Sequence, residues 1–530
     1  MSWSGTFIRT VPSGFFPLMS VTGKTRNMSD FYLTCQSFYY IINAGAFYIG
    51  GGFFMAAQIT AVIIFLVMFA FIITEKIPRH IATTLCSVAT LILVFGVCMH
   101  SSTALFETLN FQSFTSVDFW RAGAEATEST KGINWQTIIF IFGMMIMVEG
   151  MAISGFFSWL CLTIAKAVRY NTTKIFVMFM VLAFVLSMFI DSITVILFLA
   201  AITITQGKLL KFDPIPIIIA EIFCSNLGGS STMCGDPPNI IIGTALHYTF
   251  TDFLFNTGVI AILSLVLMIF FFYLCFRKKL NTNNLSEEDI AKMPSPDSAI
   301  TSKHSFIISC IIFLCAVVLL VTHGQTGLTV STIGIIAAIA TCATAGKKAK
   351  HILRRIDYPT LIFFIGLFIV VGGLEETGIL ELIANFIHKI SGGNVTFIVI
   401  IIIWVSAVAS AIIDNIPFSA TMIPIIKSLA TASGADLSVL AWTLALGTDI
   451  GGSATPIGAS ANVVGIAVAS KNGHHISWKQ YCTYAIPATL IVIAVSMLYI
   501  IFRYIIQNSE LISDAKSGSA LQTYTYLDFC

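Results

Sequence analysis

Four aspartates interrupt stretches of this chain that are otherwise apolar: Asp191 in FIDSITV (189–195), Asp236 in CSNLGGSSTMCGDPPNIII (224–242), Asp414 in IIDNIPF (412–418) and Asp449 in TDIGGSATPIGASANVV (448–464). A carboxylate at mid-membrane costs about 2.5 to 3.5 kcal/mol on insertion scales, so a cation or a proton is its natural compensation. Polar side chains crowd the same segments: Ser192, Thr194, Ser225, Asn226, Thr232, Asn239, Asn415, Thr448, Ser453, Thr455, Ser460 and Asn462. Helix breakers accompany them at Gly228, Gly229, Gly235, Pro417, Gly451, Gly452 and Gly458. Asp191 and Asp414 each precede an apolar run, the position of a helix N-cap, so capping and cation binding are both open readings of these two acids.

The elements that must position these groups are membrane helices. Of the chain, 57% is apolar and 10% charged, and apolar runs of about 18 to 25 residues recur throughout. A net charge of +2 leaves no basic face for nucleic acid. The twelve cysteines are scattered without metal or redox spacing and read as small apolar residues. No continuous apolar core opens the chain, so a cleaved signal peptide is not expected. Spans are expected near 57–75, 81–99, 134–154, 172–190, 191–205, 214–247, 253–276, 305–322, 328–346, 357–378, 395–413, 418–430, 440–467 and 481–506, several of them too short or too interrupted to cross. A further helix over 31–50 is open. Non-helical backbone at membrane depth survives only where protein or a water-filled cavity satisfies it, so the Gly and Pro clusters mark sites. The glycines are expected to supply unusual dihedral angles there, and Pro237 and Pro238 to restart the helix.

The chain repeats itself. Gly143 and Gly366, Gly150 and Gly373, Ser187 and Ser410, Asp191 and Asp414, Gly228 and Gly451, Gly235 and Gly458, and Asn239 and Asn462 are all separated by 223 positions, with no gap. Asp236 and Asp449 break the pattern, because Ala459 and Asn226 stand at their equivalents. The organisation read from this is an N-terminal segment over 1–56, a first repeat over 57–276, a polar linker over 277–304, a second repeat over 305–506 and a polar tail over 507–530. Basic loops at Lys76 and Arg79, Lys166 to Lys174, Lys208 and Lys211, Arg277 to Lys279, Lys347 to Arg355, and Lys471 and Lys479 belong inside; the acidic loop holding Glu107, Asp118, Glu125 and Glu128 belongs outside. These charges require an odd number of crossings per half. The fold class is therefore an all-α polytopic membrane protein, an inverted repeat of two five-span halves, each with a re-entrant hairpin tipped by Asp191 or Asp414 and a broken helix.

WVSAVASAIIDNIPFSATMIPII (404–426), IGASANVV (457–464), GDPPN (235–239) and IFGMMIMVEGMAISGFF (141–157) resemble the ion transporter superfamily, in the group of the melanosomal P protein and its arsenite-permease-like relatives, related to citrate carriers and NhaD-type sodium/proton antiporters. The likeness runs over about 61–506. It implies a scaffold and a transport domain, a homodimer, and ion and substrate held by Asp191 to Thr194, Asp414 to Pro417, Ser225 to Asn239 and Thr448 to Asn462. Sodium sites would then fall at Asp191 with Asn226 and at Asp414 with Asp449. Relatives usually carry Asn where this chain has Ser192, and an uncharged residue where it has Asp449.

The function expected is a secondary active transporter driven by sodium or protons, moving a small inorganic or organic anion by alternating access. A sodium/proton antiporter or an anion channel on the same scaffold is the alternative. No cofactor is expected beyond the coupling ion, and the partners are the small ion substrate, the lipid bilayer and a second copy. The plasma or inner membrane, or that of an acidic organelle, is the expected location. An intramembrane enzyme would need a nucleophile and base or a metal cluster, and no HExxH or GxSxG motif occurs. Glu149 and Glu221 are candidates for proton relay or for plain pairing. His474 and His475 read as a solvated loop, and the segments 159–168 and 380–390 as interfacial arms.

Overall fold

The computed structural model describes residues 55–74, 76–121, 132–280 and 294–506. The segment 31–50, Glu125, Glu128, most of the linker and the tail after 506 lie outside the described residues. Within them the chain is helical. The helices are α1 (Met55–Thr74), α2 (Arg79–Cys98), α3 (Trp135–Ser154), α4 (Phe156–Ala167), α5 (Thr172–Ser187), α6 (Ser192–Leu210), α7 (Ile215–Gly229), α8 (Pro237–Leu246) and α9 (Phe250–Leu280). After the linker come α10 (Lys303–Thr326), α11 (Val330–Ala345), α12 (Tyr358–Glu376), α13 (Ile379–Ser391), α14 (Val395–Ile412), α15 (Asn415–Ser433), α16 (Leu437–Gly452), α17 (Ser460–Lys471) and α18 (Trp478–Tyr504).

Among the described residues, ten helices are long and apolar enough to cross a membrane. Length sorts them differently from the charge argument. One limb of each hairpin, α6 and α14, qualifies, whereas α7, α8, α16 and α17 do not, because each interruption leaves two short pieces.

The helix starts are set by short polar side chains that accept an otherwise unpaired first-turn amide. Asn134 caps α3 at Thr137 N (3.1 Å) and Asp357 caps α12 at Thr360 N (3.3 Å). Asn171 and Asn394 do the same for α5 and α14. Both pairs obey the 223-residue offset, so the repeat extends to the way helices begin. Packing follows it as well. Helix α3 lies against α11 and α12 against α2; α5 lies against α7 and α14 against α16. In the broken-helix region the halves exchange partners, α17 packing on α6 and α8 on α15. The segments 159–168 and 380–390 fall in the helices α4 and α13.

The glycines at the breaks do not serve unusual dihedrals. None of Gly228, Gly229, Gly235, Gly451, Gly452 or Gly458 has a positive φ. What they provide is proximity: a Cβ on Gly228 would stand 2.2 Å from Phe184 O, and one on Gly451 2.4 Å from Ala407 Cα. Each broken helix is thereby pressed directly onto the first limb of the hairpin in its own half.

Candidate functional site

Both hairpins turn at an aspartate whose carboxylate caps the second limb. Asp191 Oδ1 accepts from Thr194 N at 2.9 Å and its Oδ2 from the Thr194 hydroxyl at 2.7 Å. Asp414 Oδ1 accepts from Ile416 N at 3.2 Å. Capping is therefore a role of both acids. Pro417 follows in the first turn of α15, where a missing amide costs nothing, and its carbonyl receives the Thr421 hydroxyl.

The breaks are tied to the hairpins by matched bonds. Thr232 donates to Met188 O and Thr455 to Ala411 O, again one offset apart. Ser225 shares a hydrogen bond with Ser187 at 2.6 Å and donates to Ser192 O at 3.2 Å, while Ser410 donates to Thr448 O at 2.6 Å. Inside each break an asparagine restores order. Asn239 donates to Gly229 O and Thr232 O, and Asn462 to Gly452 O and Thr455 O, so carbonyls released by the interruption find amide donors. Across the repeats, Asn226 donates to Asn462 Oδ1 at 2.8 Å and to Ser453 Oγ at 3.1 Å. The two interruptions thus meet in one polar centre.

Asp236 sits at the middle of it. Ser192 donates to its Oδ1 at 2.6 Å and Asn415 to its Oδ2 at 3.2 Å. Ser192 and Asn415 are equivalents under the repeat, each following the aspartate at a hairpin tip, so one carboxylate joins both tips. All three side chains are buried. Asp449 is fully buried beside the Asn239 side chain, and neither of its oxygens makes a well-formed hydrogen bond; Asn226 Oδ1 and Asn239 Oδ1 are in the same condition. Buried oxygens without well-formed hydrogen bonds are what a small hard cation or a proton would satisfy.

One residue of this centre has no sequence signal at the break. Arg79, counted above only as a basic loop residue, begins α2 and pairs through Nη1 with Asp414 Oδ2 while donating to Ser460 Oγ at 3.0 Å. Ser460 in turn donates to the same Asp414 oxygen at 2.8 Å. The interruptions themselves hold no Arg or Lys, yet a guanidinium reaches the second hairpin tip from another helix. Of the two remaining candidate acids only Glu149 is paired, meeting Arg355 at 3.1 Å; Glu221 accepts from Thr203 at 2.6 Å through one oxygen, its other lacking a donor.

Two cavities flank the centre. The larger, about 450 Å³, opens beside the 101–121 segment and is lined by Asn134, Trp135, Thr244, His247, His323 and Thr329 among others; no hairpin-tip residue reaches it. The smaller, about 130 Å³, is lined by Arg79, His80, Asp357, Thr360 and Ser460 and by Ile193 and Ile416, one from each tip.

Interrupted helices facing paired hairpin tips, with ten apolar helices long enough to span among the described residues, define a multi-pass membrane transporter. The citrate transporter model, CitMHS, matches residues 69–447. The chain belongs to that family. It is 32% identical over 380 residues to a 46 kDa membrane protein of Mycobacterium leprae, an alignment covering 71% of this chain and 88% of that one. It is 27% identical over 458 residues to the P protein of Mus musculus, covering 72% of this chain and 55% of that protein. Among solved structures it is similar to the YdaH transporter of Alcanivorax borkumensis, with a TM-score of 0.53, 12% identity and coverage of 77% of this chain and 89% of that one. That likeness concerns the fold alone.

Proposed function

We propose that this chain is a secondary active transporter that moves a small anion together with sodium or protons by alternating access. The observation that carries the reading is the Asp236 carboxylate held by Ser192 and Asn415, which makes both hairpin tips and one broken helix a single body around a buried acid. Such a body can rock against the scaffold helices as a unit. The four acids and the asparagines of the breaks are the coupling groups, and the family description as a citrate transporter supports a carboxylate as the anion. By the charge rule the smaller cavity, beside Arg79 and Asp357, faces the cytoplasm.

A sodium/proton exchanger is the second reading, favoured by the buried oxygens of Asp449, Asn226 and Asn239 that make no well-formed hydrogen bond. Reconstitution into liposomes with an internal pH dye separates the two. Gradient-driven uptake of labelled citrate that needs sodium or a pH difference supports the first. Proton movement on a sodium jump without any anion, unchanged when citrate is added, would establish the second and remove the first.

A further inference from the structure

The ion pair at the second hairpin tip has an arrangement that a static cap does not need. Asp414 is already satisfied as a cap through Ile416 N, and its side chain is 1% exposed. Arg79 adds a guanidinium brought from helix α2, 335 positions away in the chain; its side chain remains 25% exposed and lines the smaller cavity. Its second contact, Ser460, is the first residue of α17, and Ile416 beside it lies in the first turn of α15. The guanidinium thus stands where two helices of 12 and 19 residues begin, with His80 and the Thr360 hydroxyl on the cavity wall. Asp357 also lines this cavity, its carboxylate engaged by Thr360 N and Oγ1.

We propose that Arg79 is the substrate anchor of the transport site and that Asp414 occupies it in place of the substrate. The ligand is a small carboxylate or inorganic oxyanion, or one acidic arm of a larger acid. A guanidinium fork matches two oxygens of such a group, and helix N-termini favour negative charge. The cavity of about 130 Å³ has room for a few heavy atoms beside the fork. When the anion takes Arg79, Asp414 is left buried without its counter-charge, which is unfavourable unless a cation or proton arrives with the anion. A cation alone meets an Asp414 already neutralised by Arg79. Each ligand therefore supplies what the other displaces, and each strengthens the binding of the other. This rests on the reading of the chain as an anion carrier, and it makes that carrier a symporter.

The test measures thermal unfolding of the purified full chain with acetate, citrate or phosphate as probe, in sodium or choline buffer, at mildly acidic and mildly basic pH. A ligand that binds only the folded state raises the midpoint. For the wild type, at least one probe should raise it, and more so with sodium or at acidic pH than with choline at basic pH. Arg79→Gln should lose the response; Asp414→Asn should keep it and lose its dependence on sodium and pH. Arg79→Lys keeps the charge without the fork and should need about tenfold more probe, so the proposal stays testable if the glutamine variant does not fold. A wild-type response in Arg79→Gln or in Arg79→Lys overturns the anchor, as does a wild type that responds to none of the probes. Gradient-driven uptake is read separately. Uptake surviving Arg79→Gln leaves coupled transport standing without this anchor, whereas an Arg79-dependent midpoint shift without gradient-driven uptake keeps the anion site and removes coupled transport.

Discussion

Ser192 and Asn415, equivalent residues of the two repeats, donate to opposite oxygens of one carboxylate, Asp236, at 2.6 and 3.2 Å. The repeat has no second acid to match it, since Ala459 stands at the equivalent position. A symmetric pair of tips therefore closes on an asymmetric centre.

Asp236→Ala, which matches the repeat equivalent Ala459, should uncouple the tips. Each bond to a charged acceptor contributes about 1.5 to 3 kcal/mol, so loss of both should lower gradient-driven uptake at least tenfold. Uptake in liposomes checks this, with size-exclusion profiles to show that the variant still folds. Uptake at wild-type rate would mean the tips do not move with Asp236.

Asp449→Asn should stabilise the protein. Its buried carboxylate makes no well-formed hydrogen bond, and its repeat equivalent, Asn226, is an amide. Removing an unsatisfied buried charge should raise stability by about 1 to 3 kcal/mol while weakening the sodium or proton dependence of uptake. A lowered unfolding midpoint would show that Asp449 holds a partner that stabilises it.

Gly228→Ala and Gly451→Ala should each cost about 1 to 3 kcal/mol or prevent folding, because the added methyl meets backbone of the facing hairpin limb. Gly96→Ala is the control. Its Cβ would have only Leu91 O at 3.6 Å, and relief of glycine's helix penalty should make it neutral or stabilising by up to about 1 kcal/mol. Equal midpoints for all three would refute the close-approach account.

Glu149→Gln should leave uptake unchanged. The Arg355 guanidinium facing it is 56% exposed, and such a pair contributes about 0 to 1 kcal/mol. A fall in uptake comparable to that of the Asp236 variant would move Glu149 from the scaffold to the transport pathway.

The interruptions were legible in the sequence because glycine, proline and aspartate within apolar runs contradict an unbroken span, and the common offset of 223 linked them. The turn at Asp191 and that at Asp414 lie where the sequence places them, and so does the restart at Pro237. The glycines were legible as breakers but not as contact points, since close approach depends on which helix lies opposite. Arg79 was not legible. Its partner is 335 positions distant, and a basic residue next to a span reads equally well as a topology signal. The clasp of Asp236 was hidden for the same reason: nothing local in GDPPN names Ser192 or Asn415.

The exchange of partners between the halves has a consequence for biosynthesis. Asn415 follows Asp236 by 179 positions, so at about 5 to 20 residues per second the first broken helix waits roughly 10 to 40 s for its second donor, and longer for α17, which packs on α6. During that interval a carboxylate stands in the membrane with half its partners unmade. A nascent chain stalled before residue 415 should therefore be held by insertion chaperones or degraded, whereas one stalled after residue 471 should not. Pulse-labelling of the two stalled chains would measure the difference, and equal lifetimes would show that the first half completes its centre alone.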